Sequence, residues 1–164
     1  MLLLLNGCKI GADASWLRQR GACGAAARQL NRLQSVLHAA ARLIYRARKF
    51  DHVTPLLQEL HWLSVPERIT FKLATLVFRC LHGLAPAYLA ETFNHAADIE
   101  LRCRLHSGSS SALLVPTTRR RTLGDRAFAV AGARVWNSLP ATLTPQPSMF
   151  RRQLKTLLFE QSFS

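Results

Sequence analysis

Acidic residues are scarce in this chain: nine Asp plus Glu among 164 residues, against 22 Lys plus Arg, for a net charge of +13. Metal-dependent nucleotidyl transfer needs at least two carboxylates close enough to share divalent cations. The nine here are scattered, and the closest candidates, Asp98 and Glu100, fall in a polar stretch with no third ligand beside them. Also missing are the Gly-x-x-x-x-Gly-Lys-Ser/Thr phosphate loop, the His-Glu-x-x-His helix and the Gly-x-Ser-x-Gly elbow. The six histidines, at 38, 52, 61, 82, 95 and 106, each stand apart from a nucleophile. His61 beside Trp62 and His82 before Gly83 read as packing or capping residues. The chain reads as non-catalytic.

Cysteine is sparse as well. Cys8, Cys23, Cys80 and Cys103 form no Cys-x-x-Cys pair, which argues against a redox motif and a zinc ribbon. Cys80 with His82 and Cys103 with His106 would make a four-ligand set only with unusual spacing, and Cys80 falls on an apolar helix face. Reduced thiols are expected, with no metal and no other cofactor. No run approaches the roughly eighteen apolar residues that span a bilayer. Met1 to Leu5 is too short for a signal peptide and has no positive charge before it. The expectation is a soluble, intracellular protein, nuclear or cytoplasmic, without a membrane partner.

Arginine is what the chain has in excess: 18 of the 22 cations are Arg, whose planar fork suits bidentate contact with phosphate or carboxylate. Residues 1–50 carry nine cations and one acid (+8), residues 51–100 three and six (−3), and residues 101–164 ten and two (+8). Two basic arms therefore flank a near-neutral middle, which points to a polyanionic partner. The same surplus could reflect the base composition of the coding sequence. An anionic membrane surface would additionally need an exposed apolar helix face. With 49% hydrophobic residues, 19% charged and a mean hydropathy of +0.05, enough apolar material remains for one modest core.

Residues 1–25 show no sustained period and read as a poorly ordered lead-in. From about Ala26 to Ala47, Leu30, Leu33, Leu37, Ala40, Ile44 and Ala47 recur at steps of three and four, the signature of an amphipathic helix. On its other side Arg28, Arg32, Arg42 and Arg46 fall within about 80° of one another, a ridge rising about 27 Å at ~1.5 Å per residue. An exposed, solvated face is the plainer reading of that ridge. Thr54-Pro55 predicts a helix start with Thr as cap, and Ser64 with Glu67 has capping-box spacing. The helix that follows carries Ile69, Leu73, Leu76, Val77, Cys80 and Leu81 and stops at Gly83. It should be the most buried element. Pro86 opens a further short helix, to Phe93, whose Tyr88 and Leu89 would close over the bundle.

These elements predict a small helical bundle over 26–93. The polar, small-residue stretch 94–111 reads as a flexible linker. Residues 112–164 read as a basic C-terminal segment: an extended Leu113-Leu114-Val115 with a possible short strand pair, a loop projecting Arg119, Arg120 and Arg121, and an ambiguous stretch from Phe128 to Trp136. A terminal helix capped by Ser148 would then bury Phe150, Leu154, Leu157 and Leu158 and present Arg151, Arg152 and Lys155. The fold class is mainly α. The ridge, the loop and the terminal basic face are the candidate nucleic-acid-binding residues. Trp62 and Trp136 could stack on bases or pack in the core.

Several blocks resemble, in order, a known family. Leu30-Asn31-Arg32-Leu33-Gln34, Arg48-Lys49-Phe50-Asp51-His52-Val53-Thr54-Pro55-Leu56-Leu57, His61-Trp62-Leu63-Ser64-Val65-Pro66-Glu67-Arg68-Ile69 and Leu81-His82-Gly83-Leu84-Ala85-Pro86-Ala87-Tyr88-Leu89 are similar to the segment after the catalytic core of non-LTR (LINE-type) retrotransposon reverse transcriptases. Val135-Trp136-Asn137-Ser138-Leu139-Pro140 and Phe150-Arg151-Arg152-Gln153-Leu154-Lys155 resemble the end of those polyproteins. The likeness covers about residues 29–160. It implies a thumb-like helical region that would grip a template–primer hybrid, cut off from the polymerase chemistry, and it assigns no site residue by itself. A self-associating or protein-interaction module, or a transposon relic without a selected role, are the alternatives.

Overall fold

A computed structural model of the chain describes residues 24–94, 112–119, 124–140, 142–143 and 146–163. Six α-helices are assigned there: α1 (Gly24–Tyr45), α2 (Thr54–Glu59), α3 (Val65–Leu81), α4 (Ala87–Ala90), α5 (Phe128–Asn137) and α6 (Pro147–Phe163). The fold is mainly α, as expected. The lead-in up to residue 23 and the linker over 95–111 lie outside the described residues.

α3 is the central helix. Thr70, Ala74, Val77, Phe78 and Cys80 are buried along it, and α5 and α6 cover them. Phe78 stacks on Phe150 of α6 with ring centroids 4.3 Å apart, and Trp136 of α5 tilts against both rings. Ala74, Val135, Leu154 and Leu158 complete this layer. Burying each of the large side chains contributes about 1.5–3 kcal/mol relative to exposure. A second layer joins Val77 and Cys80 to Phe93, Leu113 and Ala133. Described residues on both sides of the 95–111 stretch thus share one core.

The stretch from Phe128 resolves as a helix, and Gly132 is the reason it fits. A Cβ there would lie 2.9 Å from both Phe93 Cζ and Val77 Cγ2, so the missing side chain lets α5 press against α3. The expected strand pair is not formed among the described residues. Leu113 is extended, but its backbone is held by a side chain: Asn137 Nδ2 donates to the Leu113 carbonyl and Asn137 Oδ1 accepts from its amide, both at 2.8 Å. Beside it, the Leu114 amide donates to the Asn94 carbonyl at 3.0 Å.

Several helix ends differ from expectation. Ser64 occupies the cap position of α3 but makes no side-chain cap bond. The Val65 amide, the first of the helix and out of reach of a Ser64 cap bond, donates to Gln34 Oε1 of α1 at 2.8 Å. α2 starts on Thr54 with Val53 at its cap, and α6 starts on Pro147, which leaves Ser148 inside the first turn. α4 ends at Ala90 rather than Phe93. Tyr88 is exposed instead of closing over the bundle, while Leu89 packs on the second layer.

Candidate nucleic-acid interface

α1 has the expected 22 residues but starts and ends two residues earlier than its sequence pattern, and it is rolled relative to that pattern. It ends at Tyr45 because Arg46 adopts φ 52°, outside the helix. The residues that meet the rest of the molecule are Leu30, Gln34, Leu37, His38 and fully buried Ala41. That line is turned roughly 70° from the predicted apolar stripe at 100° per residue. Leu33 (57% exposed), Val36 (67%) and Ile44 (55%) are left on the surface. The bond from the Val65 amide to Gln34 fixes this roll, because a polar side chain then has to face α3.

The arginine ridge is altered by the same geometry. Arg28 and Arg32 are exposed near the start of α1. Arg42 is half-buried and turns onto the following loop, where its Nη2 donates to the Asp51 carbonyl at 3.3 Å. Arg46 lies past the helix end. The helical part of the ridge therefore runs from Arg28 to Arg42, about 21 Å at ~1.5 Å per residue.

α6 presents Arg151, Arg152 and Lys155 to solvent while Phe150, Leu154 and Leu158 are buried, as its pattern predicts. Arg151 and Lys155 reach a groove of about 1020 Å³ between α1, α3 and α6. Leu33, Val36 and Ala40 of α1 form one wall, and Ile69 and Leu76 of α3 form part of the floor. Arg68 and Lys72, four residues apart on α3, join Arg151 and Lys155 around it. Sequence reasoning passed over Arg68 and Lys72 because α3 was read for its apolar positions; their i,i+4 spacing places them together on one face. Arg68 is preorganised: its Nε donates to the Leu63 carbonyl at 2.9 Å and its guanidinium lies 5.5 Å from the Trp62 ring centroid.

Among the described residues no carboxylate pairs with Arg32, Arg46, Arg151, Arg152 or Lys155. Arg134 differs, held by Asp125 at 3.0 Å, and Thr118 donates to the same carboxylate oxygen. Arg119 is exposed. Arg120 and Arg121 lie outside the described residues. Trp136 packs in the core. Trp62 is half-buried with Arg68 against it.

Cys80 is buried, and burial pushes its thiol up from its ordinary value, which keeps it protonated. His82 stacks on Phe78 at 3.9 Å and bonds through Nδ1 to the Phe78 carbonyl, a packing role. Cys103 and His106 lie outside the described residues. Among the described residues no three His, Cys, Asp or Glu side chains gather as a metal site would require, and no helix is long and apolar enough to cross a membrane. Comparisons with protein-family models, curated proteins and solved structures return no match.

Proposed function

We propose that the chain binds the sugar-phosphate backbone of nucleic acid, RNA or an RNA–DNA hybrid, without sequence preference and without catalysing a reaction on it. The observation that carries this reading is the set of exposed cations on α1 and α6 (Arg32, Arg151, Arg152 and Lys155) that no carboxylate neutralises among the described residues. Arg151 and Lys155 share the groove with Leu33 and Val36, one and four residues after Arg32 in sequence, so helices from both basic arms border one opening. Arg28, Arg119, Arg120 and Arg121 would extend the contact, and Arg42 and Arg46 would contribute at the far end of α1. The resemblance to the thumb-like region of non-LTR retrotransposon reverse transcriptases agrees with a backbone grip separated from the polymerase chemistry.

A salt-titrated binding assay on the purified chain, comparing single strands, duplex DNA and hybrid, tests the proposal. Neutralising about five phosphates should cost roughly 10²–10³-fold in duplex affinity between 50 and 200 mM salt, through released counterions. Changing Arg151, Arg152 and Lys155 together to Gln should weaken binding to all substrates alike and flatten the salt slope. An affinity that barely moves with salt would rule the reading out.

One observation favours a second reading. The rolled α1 leaves Leu33, Val36, Leu43 and Ile44 exposed, and Leu33 and Val36 with Ala40 wall the groove. An interaction module would use that wall, and light scattering with a hydrophobic dye tests whether it is free.

A further inference from the structure

We infer that the groove between α1, α3 and α6 is a docking site for an amphipathic helix of a partner protein, one whose apolar stripe is flanked by Asp and Glu. The inference rests on the second reading above and names its partner. The shape is that of helix-in-groove recognition, in which apolar side chains at i, i+3, i+4 and i+7 enter a trough of similar character. Along α1 the wall from Leu33 to Ala40 spans about 10 Å, and along α3 the floor from Val65 to Leu76 spans about 16 Å, so an occupant of about three turns fits.

Charge decides between occupants. The groove is rimmed by Arg68, Lys72, Arg151 and Lys155, and no acidic residue is among the described residues lining it. Acidic flanks on the docked helix would meet these four cations, which gives specificity and a faster encounter. A second copy of this chain meets repulsion, because each copy carries +13. A nucleic-acid strand satisfies the rim but not the floor. Phosphates cannot cover the aliphatic side chains of Leu33, Val36, Ile69 and Leu76. Of the aromatic rings lining the groove, His61 stacks on Phe159 at 5.6 Å, Trp62 faces Arg68 and Phe71 packs against the core.

The test is fluorescence anisotropy on the full chain. The probe is a labelled fourteen-residue synthetic helix with Leu at positions 3, 6, 7, 10 and 14 and Glu at most others. A peptide of the same composition with its leucines scrambled, and one with Lys in place of Glu, should each bind at least about tenfold more weakly, as loss of a central apolar anchor or of the charge match does. Val36→Asp and Leu33→Asp should weaken the Leu/Glu peptide by about tenfold or more. Both side chains are exposed, so circular dichroism should show the fold intact. Equal binding of the scrambled peptide, or indifference to both substitutions, overturns the inference. So does a dimer that Val36→Asp dissolves, or an oligonucleotide affinity that Val36→Asp abolishes. Salt-dependent oligonucleotide binding that survives Val36→Asp leaves the nucleic-acid proposal standing whichever way the peptide behaves, so the two can fail separately.

Discussion

Gln34 ties two helices together through one carboxamide. Its oxygen accepts the first free amide of α3, from Val65, at 2.8 Å, and its nitrogen sits 2.7 Å from His38 Nε2. Because the oxygen is already committed, the group facing His38 is a donor, so Nε2 must be the unprotonated nitrogen and the ring proton resides on Nδ1. A second proton would place donor against donor. Burial, and after it the Arg42 guanidinium, already hold the His38 pKa below its ordinary 6.5. The folded state therefore favours neutral His38, and this contribution is complete above the unfolded value and is lost as the pH falls through 6.5 toward the lowered one. The stability difference between wild type and His38→Ala should accordingly be largest above pH 7 and shrink toward pH 5. Guanidinium unfolding at both ends of that range measures it, and a difference that grows on acidification contradicts the assignment.

Three helices in this chain end in the same motif with three different residues. After α1 the Ala47 amide bonds the Arg42 carbonyl (2.9 Å) and the Arg46 amide bonds that of Leu43 (3.3 Å). After α2 the Trp62 amide bonds Leu57 (2.9 Å) and the His61 amide bonds Gln58 (3.0 Å). After α3 the Leu84 amide bonds Arg79 (2.8 Å) and the Gly83 amide bonds Cys80 (3.4 Å). Each is a Schellman closure, and the residue in the left-handed conformation is Arg46, His61 or Gly83. A Cβ in that conformation costs about 1–2 kcal/mol. Arg46→Gly should therefore stabilise the chain by up to about 1 kcal/mol after the added entropy of an unfolded glycine is deducted. His61→Gly should gain less, since it also gives up the stack on Phe159. Thermal unfolding of the two variants checks the order, and a destabilised Arg46→Gly would show that its guanidinium does structural work at the helix end.

Of these three stops only Gly83 was legible in the sequence, because glycine advertises the left-handed conformation and Arg or His does not. The roll of α1 was hidden for a comparable reason. Its apolar period was correctly read as helix, but the face it buries is chosen by the Val65 amide, 31 residues away from Gln34, and no local pattern carries that information. α6 was legible because its apolar positions and its buried positions coincide at Phe150, Leu154 and Leu158. At the candidate site, α6's cations were found by the same pattern, while Arg68 and Lys72 became visible only when the groove brought α3 alongside them.

At the scale of the whole molecule, the near-neutral middle of the chain supplies the centre of the fold and the two basic arms pack around it. α3 touches α1 on one side and α5 and α6 on others. Without the C-terminal arm, Ala74 and Phe78 would lose Val135, Phe150, Leu154 and Leu158, and Val77 would lose Leu113 and Ala133, so that these nearly or fully buried side chains would face water. What would remain for α1 to α4 are the contacts of α1 with α2 and α3, with the Gln34 bond, and the small contact of α3 with α4. That is too little apolar burial to offset the ordering of about seventy residues, which costs ~1–2 kcal/mol of backbone entropy each. A fragment ending at residue 94 should therefore keep much of its helical circular dichroism but bind a hydrophobic dye and unfold without a cooperative transition. Adding residues 112–164 as a separate peptide should restore the transition, because it supplies the side-chain packing on α3 and the bond from the Leu114 amide to the Asn94 carbonyl. If the fragment alone melts as sharply as the full chain and at the same temperature, α3 is held by its own neighbours. The shared core would then be a docking surface between two independent units.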